Sequence, residues 1–326
     1  MGIFTAAAIQ MRSGKEPGRN AVDFEALVRE AAGRGAAYVQ TPEMTGAIIR
    51  DKADRATAFR PEDRDEIVAS ARRLSAELGI FLHVGSTAIL REDGKIANRA
   101  FLFAPDGALA ARYDKIHMFD VDLDNGESWR ESATYEPGGE ALVADIGMSR
   151  LGFAICYDLR FPALFRTEAL AGAEVLTVPA AFTRQTGQAH WHVLLRARAI
   201  ENGAYVIAAA QGGLHEDGRE TFGHSLVVDP WGKILAEADH DEPGVIVAAA
   251  QAGVHEDGRE TFGHSMIIDP WGRILASAGG TGEAIVLAEV DTAAVKAAHD
   301  KIPNLRNGRV FTLETAEASA KGGVAA

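Results

Sequence analysis

The chain has 326 residues, of which 47% are hydrophobic, and a formal net charge of −13. That apolar content can bury a sizeable core, which excludes disorder as the default state, and the acidic balance disfavours nucleic-acid phosphate and anionic lipid as partners. The single cysteine excludes an intrachain disulfide and suits a reducing compartment.

In chain order, Ala6 to Met11 reads as a strand. The first ten residues lack the basic flank and apolar run of a signal peptide, and no later stretch approaches the ~20 apolar residues of a membrane span. A soluble cytoplasmic protein is the expectation. Asn20 to Gly33 reads as a helix, with Phe24, Leu27, Val28 and Ala31 on one face. Tyr38 to Gln40 is a short strand ending at Pro42. Asp65 to Leu78 is a second helix stopped by Gly79, and Ile80 to Leu90 is an apolar strand. Phe101 to Phe103 and Ala108 to Tyr113 flank Asp106-Gly107, a hairpin signal. Leu142 to Ile146 and Leu151 to Ile155 form another pair around a short turn. Pro162 to Ala171 is a helix with proline in its first turn. Val175 to Val178 is a strand, Ala189 to Glu201 a helix, and Ala204 to Ala210 a strand. This alternation predicts an α/β fold, a mixed sheet with helices packed outside it. No linker-like stretch divides the chain, so residues 1–311 are assigned to one domain and 312–326 to a disordered tail.

Gln211 to Ala236 recurs as Gln251 to Ala276, with 20 of 26 positions identical and a period of 40 residues. Each copy reads as a loop, a strand, an Asp-Pro-Trp-Gly turn and a returning strand. Two copies are too few for a solenoid. The pattern is a tandem duplication, 211–250 and 251–290, of one hairpin unit. Only one copy can occupy the slot of a single-copy fold, and the upstream junction favours the first.

Three segments can carry chemistry. Cys156 ends the apolar strand Leu151 to Ile155, just before the helix at Pro162. A thiol at such a turn is exposed to helix N–H dipoles, which lower its pKa; a buried structural cysteine would share this context. Glu43 follows the strand Tyr38 to Gln40, where a partly buried carboxylate with a raised pKa could act as a base. Lys115, in Tyr113-Asp114-Lys115-Ile116-His117, could hold an oxyanion in a closed site. Taken alone, Cys156 reads equally well as a buried structural cysteine, and Glu43 and Lys115 read better as a solvated acid and a surface lysine paired with Asp114.

Together the segments Ala8-Ile9-Gln10, Pro42-Glu43-Met44, Tyr113 to His117 and Cys156-Tyr157-Asp158 resemble the nitrilase superfamily of carbon–nitrogen hydrolases, in order and over nearly the whole chain. The resemblance implies a four-layer α-β-β-α sandwich and a homodimer or higher homo-oligomer. It implies a base at Glu43, an oxyanion-stabilising Lys115 and a thioester-forming Cys156, with Glu131 orienting the lysine. No cofactor or metal is implied. Cys156-Tyr157-Asp158-Leu159-Arg160-Phe161-Pro162 looks like the Nit branch, whose members include ω-amidases for 2-oxo acid amides and amidases for deaminated glutathione. In that branch Arg160 matches a position that binds a substrate carboxylate, and Phe182 and Thr183 match a loop lining the pocket. The Tyr157 backbone N–H is placed as a second oxyanion donor. The expected substrate is thus a small carboxylated amide. An N-carbamoyl or aliphatic amide hydrolase, or an inactive binding protein with a pocket altered by the second hairpin, are the alternatives.

The remaining signals are weaker. His190 and His192 do not share a helix face, and no second cluster in the sequence completes a metal site. The His215-Glu216-Asp217-Gly218 loop and its copy lack calcium-loop spacing and read as solvated turns. His224 and His264 read as strand residues bonded to backbone.

Overall fold

In the computed structural model, residues 4–122, 126, 128–238, 241–250, 266–268, 272, 274–277, 300 and 307–317 are described. Two large mixed sheets form the centre. The first has strand order β16-β1-β2-β3-β4-β5. Its strands are β1 (Phe4–Gln10), β2 (Tyr38–Gln40), β3 (Phe81–Leu90), β4 (Ile96–Phe103), β5 (Leu109–Asp114) and β16 (Gly244–Ala250). Helices α1 (Pro17–Gly33) and α3 (Glu66–Leu78) make the crossovers that leave β1, β2 and β3 parallel. The second sheet runs β15-β14-β11-β10-β9-β8-β19. It contains β8 (Glu140–Asp145), β9 (Arg150–Phe153), β10 (Val175–Thr177), β11 (Tyr205–Ala208), β14 (Leu226–Val228), β15 (Ile234–Glu237) and β19 (Thr312–Glu317). Its crossover helices are α4 (Pro162–Leu170) and α5 (Arg184–Asn202). Four shorter segments complete the part that shapes the site: α2 (Lys52–Ala58), β6 (Asp120–Asp122), β7 (Ser128–Arg130), and the hairpin β12 (Gly212–Leu214) with β13 (Glu220–Phe222).

Strand alternation explains the layering. Ala6 and Ala8 of β1 lie in the same core as Phe153 of β9 and Val206 of β11, whereas Ala7 and Ile9 pack with Phe24 and Val28 of α1 and Ile67 and Leu74 of α3. One face of the first sheet therefore meets the second sheet and the other meets helices. Leu164 and Phe165 of α4 and Leu195 of α5 extend the second sheet's core outward. The α-β-β-α order expected from the sequence is the order found. Among the described residues, no helix is long and apolar enough to cross a membrane.

Two expectations change. Thr312 to Glu317, assigned to the tail, form β19 in parallel register with the whole of β8; backbone pairing suffices for this edge strand, whose residues 312–315 are exposed. Residues 318–326 lie outside the described residues. His224 precedes β14 and sits at φ +57, outside the strand. The first repeat copy enters the second sheet, because β14 pairs with β11. The described part of the second copy, β17 (Met266–Ile268) and β18 (Ile274–Ser277), pairs with itself. Its register shifts at Ile267/Ile268, as that of β14 and β15 does at the matching Val227/Val228.

Candidate active site

Cys156 stands at φ +50 between β9 and α4, and its backbone N–H donates to the Pro179 carbonyl at 2.9 Å. A left-handed conformation at a residue with a Cβ costs on the order of 1–3 kcal/mol and needs surrounding structure to hold it. Met44, beside Glu43, is held likewise at φ +56. Asp158 supplies part of the restraint. Its Oδ2 accepts from the Ile155 N–H (2.9 Å) and the Tyr113 hydroxyl (2.8 Å), and its Oδ1 from the His117 N–H at 2.9 Å. The His117 ring also bonds Oδ1 through Nδ1 (2.7 Å) and stacks on Phe161 at 3.6 Å between centroids. One buried carboxylate thus ties the residue before Cys156 to the residues on either side of the Lys115-Ile116 step. Gly85 permits the approach of the opposite wall. A Cβ there would lie 2.0 Å from the Thr41 carbonyl oxygen and 2.4 Å from Pro179 Cβ, so only glycine fits beneath the Glu43 loop.

The charged centre is buried and ion-paired. Lys115 Nζ donates to Glu43 Oε1 at 2.9 Å and to both oxygens of Glu131 at 2.9 and 2.8 Å. Glu43 also accepts from Asn98 Nδ2 and from the Ala181 N–H, each at 2.9 Å. Glu131 accepts from the Phe119 N–H at 2.6 Å and from Asn98 Nδ2 at 3.2 Å. Burial pushes the Glu43 carboxyl up, but the adjacent Lys115 ammonium outweighs it and leaves the group below its ordinary value. This reverses the raised value expected from the sequence, because a cation at hydrogen-bond distance beats desolvation here. Burial raises Glu131, and Lys115 offsets this only in part. Burial alone would lower Lys115, yet Glu131 and Glu43 hold it well above the usual lysine range. Cys156 is also corrected: burial, then the Glu43 charge, push the thiol well up, so turn dipoles do not make it a ready thiolate. The resting set is carboxylate, ammonium and thiol.

These residues line a cavity of about 380 Å³, together with Tyr157, Phe182, Thr183, Trp129 and Tyr135. Its size suits a small-molecule site. Arg160 is placed elsewhere than expected. It is not among the lining residues; its guanidinium lies behind them, 5.4 Å from the Phe182 ring centroid and 5.8 Å from that of Tyr157. Nη1 bonds His190 Nδ1 at 3.2 Å, while Nε and Nη2 are buried without a hydrogen-bond partner among the described residues. Burial lowers its pKa to about 10.

Other arginines line the wall instead. Arg50 and Arg219 sit over the Trp129 ring, 4.5 and 4.4 Å from its centroid. Arg55 also lines the cavity and donates to Thr134 Oγ1. Neither Arg50 nor Arg55 is in a salt bridge among the described residues, and Arg219 Nε reaches Asp217 only at 4.0 Å. The loop carrying Arg219 is solvated only in part: Glu216 and Gly218 are exposed, whereas Arg219 lines the cavity. His215 in it is buried, bonding the Ser13 carbonyl through Nδ1 (2.9 Å) and the Thr221 hydroxyl through Nε2 (2.7 Å). Asn98, Arg50, Arg55 and Arg219 were not singled out from the sequence. Arg219 had one usable signal, its place in the duplicated segment.

The carbon-nitrogen hydrolase family model matches residues 5–251 and again residues 246–300; the second match begins five residues before the second repeat unit. The deaminated glutathione amidase of Yersinia enterocolitica is 42% identical over 234 residues, covering 71% of this chain and 81% of the relative. The omega-amidase of Homo sapiens is 37% identical over 247 residues, covering 74% and 87%. The crystal structure of the C. elegans NitFhit protein superposes with a TM-score of 0.71 at 34% identity, over 76% of this chain and 61% of that one.

Proposed function

This chain belongs to the carbon-nitrogen hydrolase family and is a hydrolase of carbon–nitrogen bonds other than peptide bonds, and we propose that its substrate is a small linear amide bearing a carboxylate. The observation that carries the reading is a cavity that holds Cys156 beside a Glu43–Lys115–Glu131 centre and has an arginine-lined wall. Cys156 Sγ attacks the amide carbon while the Glu43 carboxylate accepts the thiol proton. The carbonyl electron pair moves onto oxygen, and the Lys115 ammonium and the Tyr157 backbone N–H hold that charge. Collapse of the tetrahedral intermediate breaks the carbon–nitrogen bond, and Glu43 returns its proton to the departing ammonia. Water, deprotonated by Glu43, then attacks the thioester, and the thiolate leaves and is reprotonated. Glu131 is a positioning residue that holds Lys115 in place.

An acidic protein that keeps Arg50, Arg55 and Arg219 on one cavity wall favours an anionic ligand. A 2-oxo acid ω-amide and deaminated glutathione both fit the description. A reducing compartment such as the cytoplasm fits the need for a free thiol. A homodimer is inferred from Leu170, Val193 and Ile200 of α4 and α5, which are 80%, 56% and 54% exposed.

The test is ammonia release from 2-oxo acid ω-amides, deaminated glutathione, glutamine, an N-carbamoyl amino acid and an uncharged aliphatic amide, with Cys156→Ala alongside. Release confined to carboxylated amides and abolished in Cys156→Ala is expected. Equal turnover of the uncharged amide overturns the substrate class.

A further inference from the structure

Where α5 meets the hairpin β14–β15, three side chains that play no part in amide hydrolysis converge. His192 Nε2 lies 2.7 Å from Glu237 Oε1, and His224 Nδ1 lies 2.8 Å from the same oxygen. All three atoms fall within 4.8 Å of one another. We propose that His192, His224 and Glu237 form a binding site for a first-row transition-metal dication of the zinc or nickel type.

The donor set is two imidazoles and one carboxylate, the chemistry those ions select. Metal–ligand bonds of about 2.0–2.2 Å put tetrahedral ligand atoms roughly 3.3 Å apart. The two short contacts must each open by roughly half an ångström, which side-chain rotation supplies. Entry of the ion replaces the two N–H···O bonds; each ring passes the proton of its ligating nitrogen through solvent to its other nitrogen, so charge balances and no co-reactant is needed. The three side chains are 32%, 21% and 24% exposed, so solvent can fill the remaining coordination positions.

The site is also built in advance. His224 is held at φ +57, and the only other non-glycine residues at positive φ among those described, Met44 and Cys156, belong to the active site. Its carbonyl accepts from Trp191 Nε1 at 2.8 Å, and its ring stacks on Phe222 at 4.3 Å. The sequence reading set His192 aside for want of a partner cluster; the fold supplies one from another part of the chain. In the second repeat copy His264 matches His224, but Ser277 stands where the first copy has Glu237.

The experiment uses the tag-free full chain carrying Cys156→Ala, stripped with chelator, so that the thiol contributes nothing. Zinc chloride is titrated calorimetrically, and bound metal is counted after equilibrium dialysis. One ion per chain is expected, with affinity reduced more than ~tenfold in Glu237→Ser, the residue the second copy carries, and in His192→Gln. Should Glu237→Ser fail to fold, His192→Gln gives the same reading from a half-buried helix position. No saturable binding in the Cys156→Ala chain, or equal binding in the substituted chains, overturns the proposal.

Discussion

Asp158 makes a sharp test of how the two halves of the site are held in register. In Asp158→Asn one acceptor oxygen becomes an NH₂. Oδ1 receives the His117 N–H and the His117 ring, and Oδ2 the Ile155 N–H and the Tyr113 hydroxyl. The hydroxyl can rotate and the ring can change tautomer, but neither backbone N–H can. Whichever way the amide is turned, one buried backbone donor faces another donor. An orphaned donor costs ~1–3 kcal/mol, and each surviving bond loses its charge assistance. Unfolding free energy should fall by about 3 kcal/mol, read by urea denaturation. Because Ile155 precedes Cys156 and His117 follows Lys115 by two, the same change loosens nucleophile and ammonium together. A misplacement of ~1 Å costs about 10²-fold in kcat, whereas KM should hardly move. Tyr113→Phe, which removes only a donor that can rotate, serves as the control and should keep kcat. An Asp158→Asn protein with unchanged urea midpoint and kcat would refute the reasoning.

Other outcomes follow from the same geometry. Glu131→Gln leaves Lys115 with one carboxylate and should lower kcat about 10²-fold with KM little changed; a rise in KM alone would point to substrate contact instead. Arg219→Ala should raise KM for a carboxylated amide ~10–100-fold and leave a neutral amide unaffected, and kinetics on the two substrates decide it. Folded Cys156 holds its proton above the ordinary thiol value of 9.0. Between pH 9 and 10 the unfolded chain therefore binds fewer protons than the folded one, and stability falls with rising pH at up to ~1.4 kcal/mol per unit. Cys156→Ser should flatten that slope in thermal melts, and an unchanged slope would contradict a proton-retaining thiol. Val193→Glu should shift the mass measured by light scattering towards the monomer if α5 is the dimer face.

The catalytic candidates were legible because each sits at the end of a short, strongly patterned strand: Glu43 after β2, Lys115 after β5 and Cys156 after β9. The layering followed from helix and strand periodicity. What escaped is what depends on distant partners. Nothing around Asn98 marks it as the donor shared by Glu43 and Glu131. The direction of the Glu43 shift depends on an ammonium 72 residues away. Arg160 read as a pocket residue through the resemblance of the Cys156 to Pro162 segment to the Nit branch, yet its guanidinium packs near the Tyr157 and Phe182 rings and is not among the cavity-lining residues. Strand β16 was missed although its Val245-Ile246-Val247 run favours a strand; it pairs along the whole of β1.

The placement of β14 and β15 divides the labour between near-identical segments. The first copy carries Arg219 on the cavity wall, His215 beneath it and the strands that extend the second sheet. Errors accumulating there are exposed to selection through both folding and turnover. The described strands of the second copy, β17 and β18, pair with each other and with neither large sheet, so identical substitutions at the matched positions Val227 and Ile267 should cost more upstream than downstream. Ser277 opposite Glu237 is one of the places where the two copies have already parted, and a paired mutational scan of both units would show how far each is free to drift.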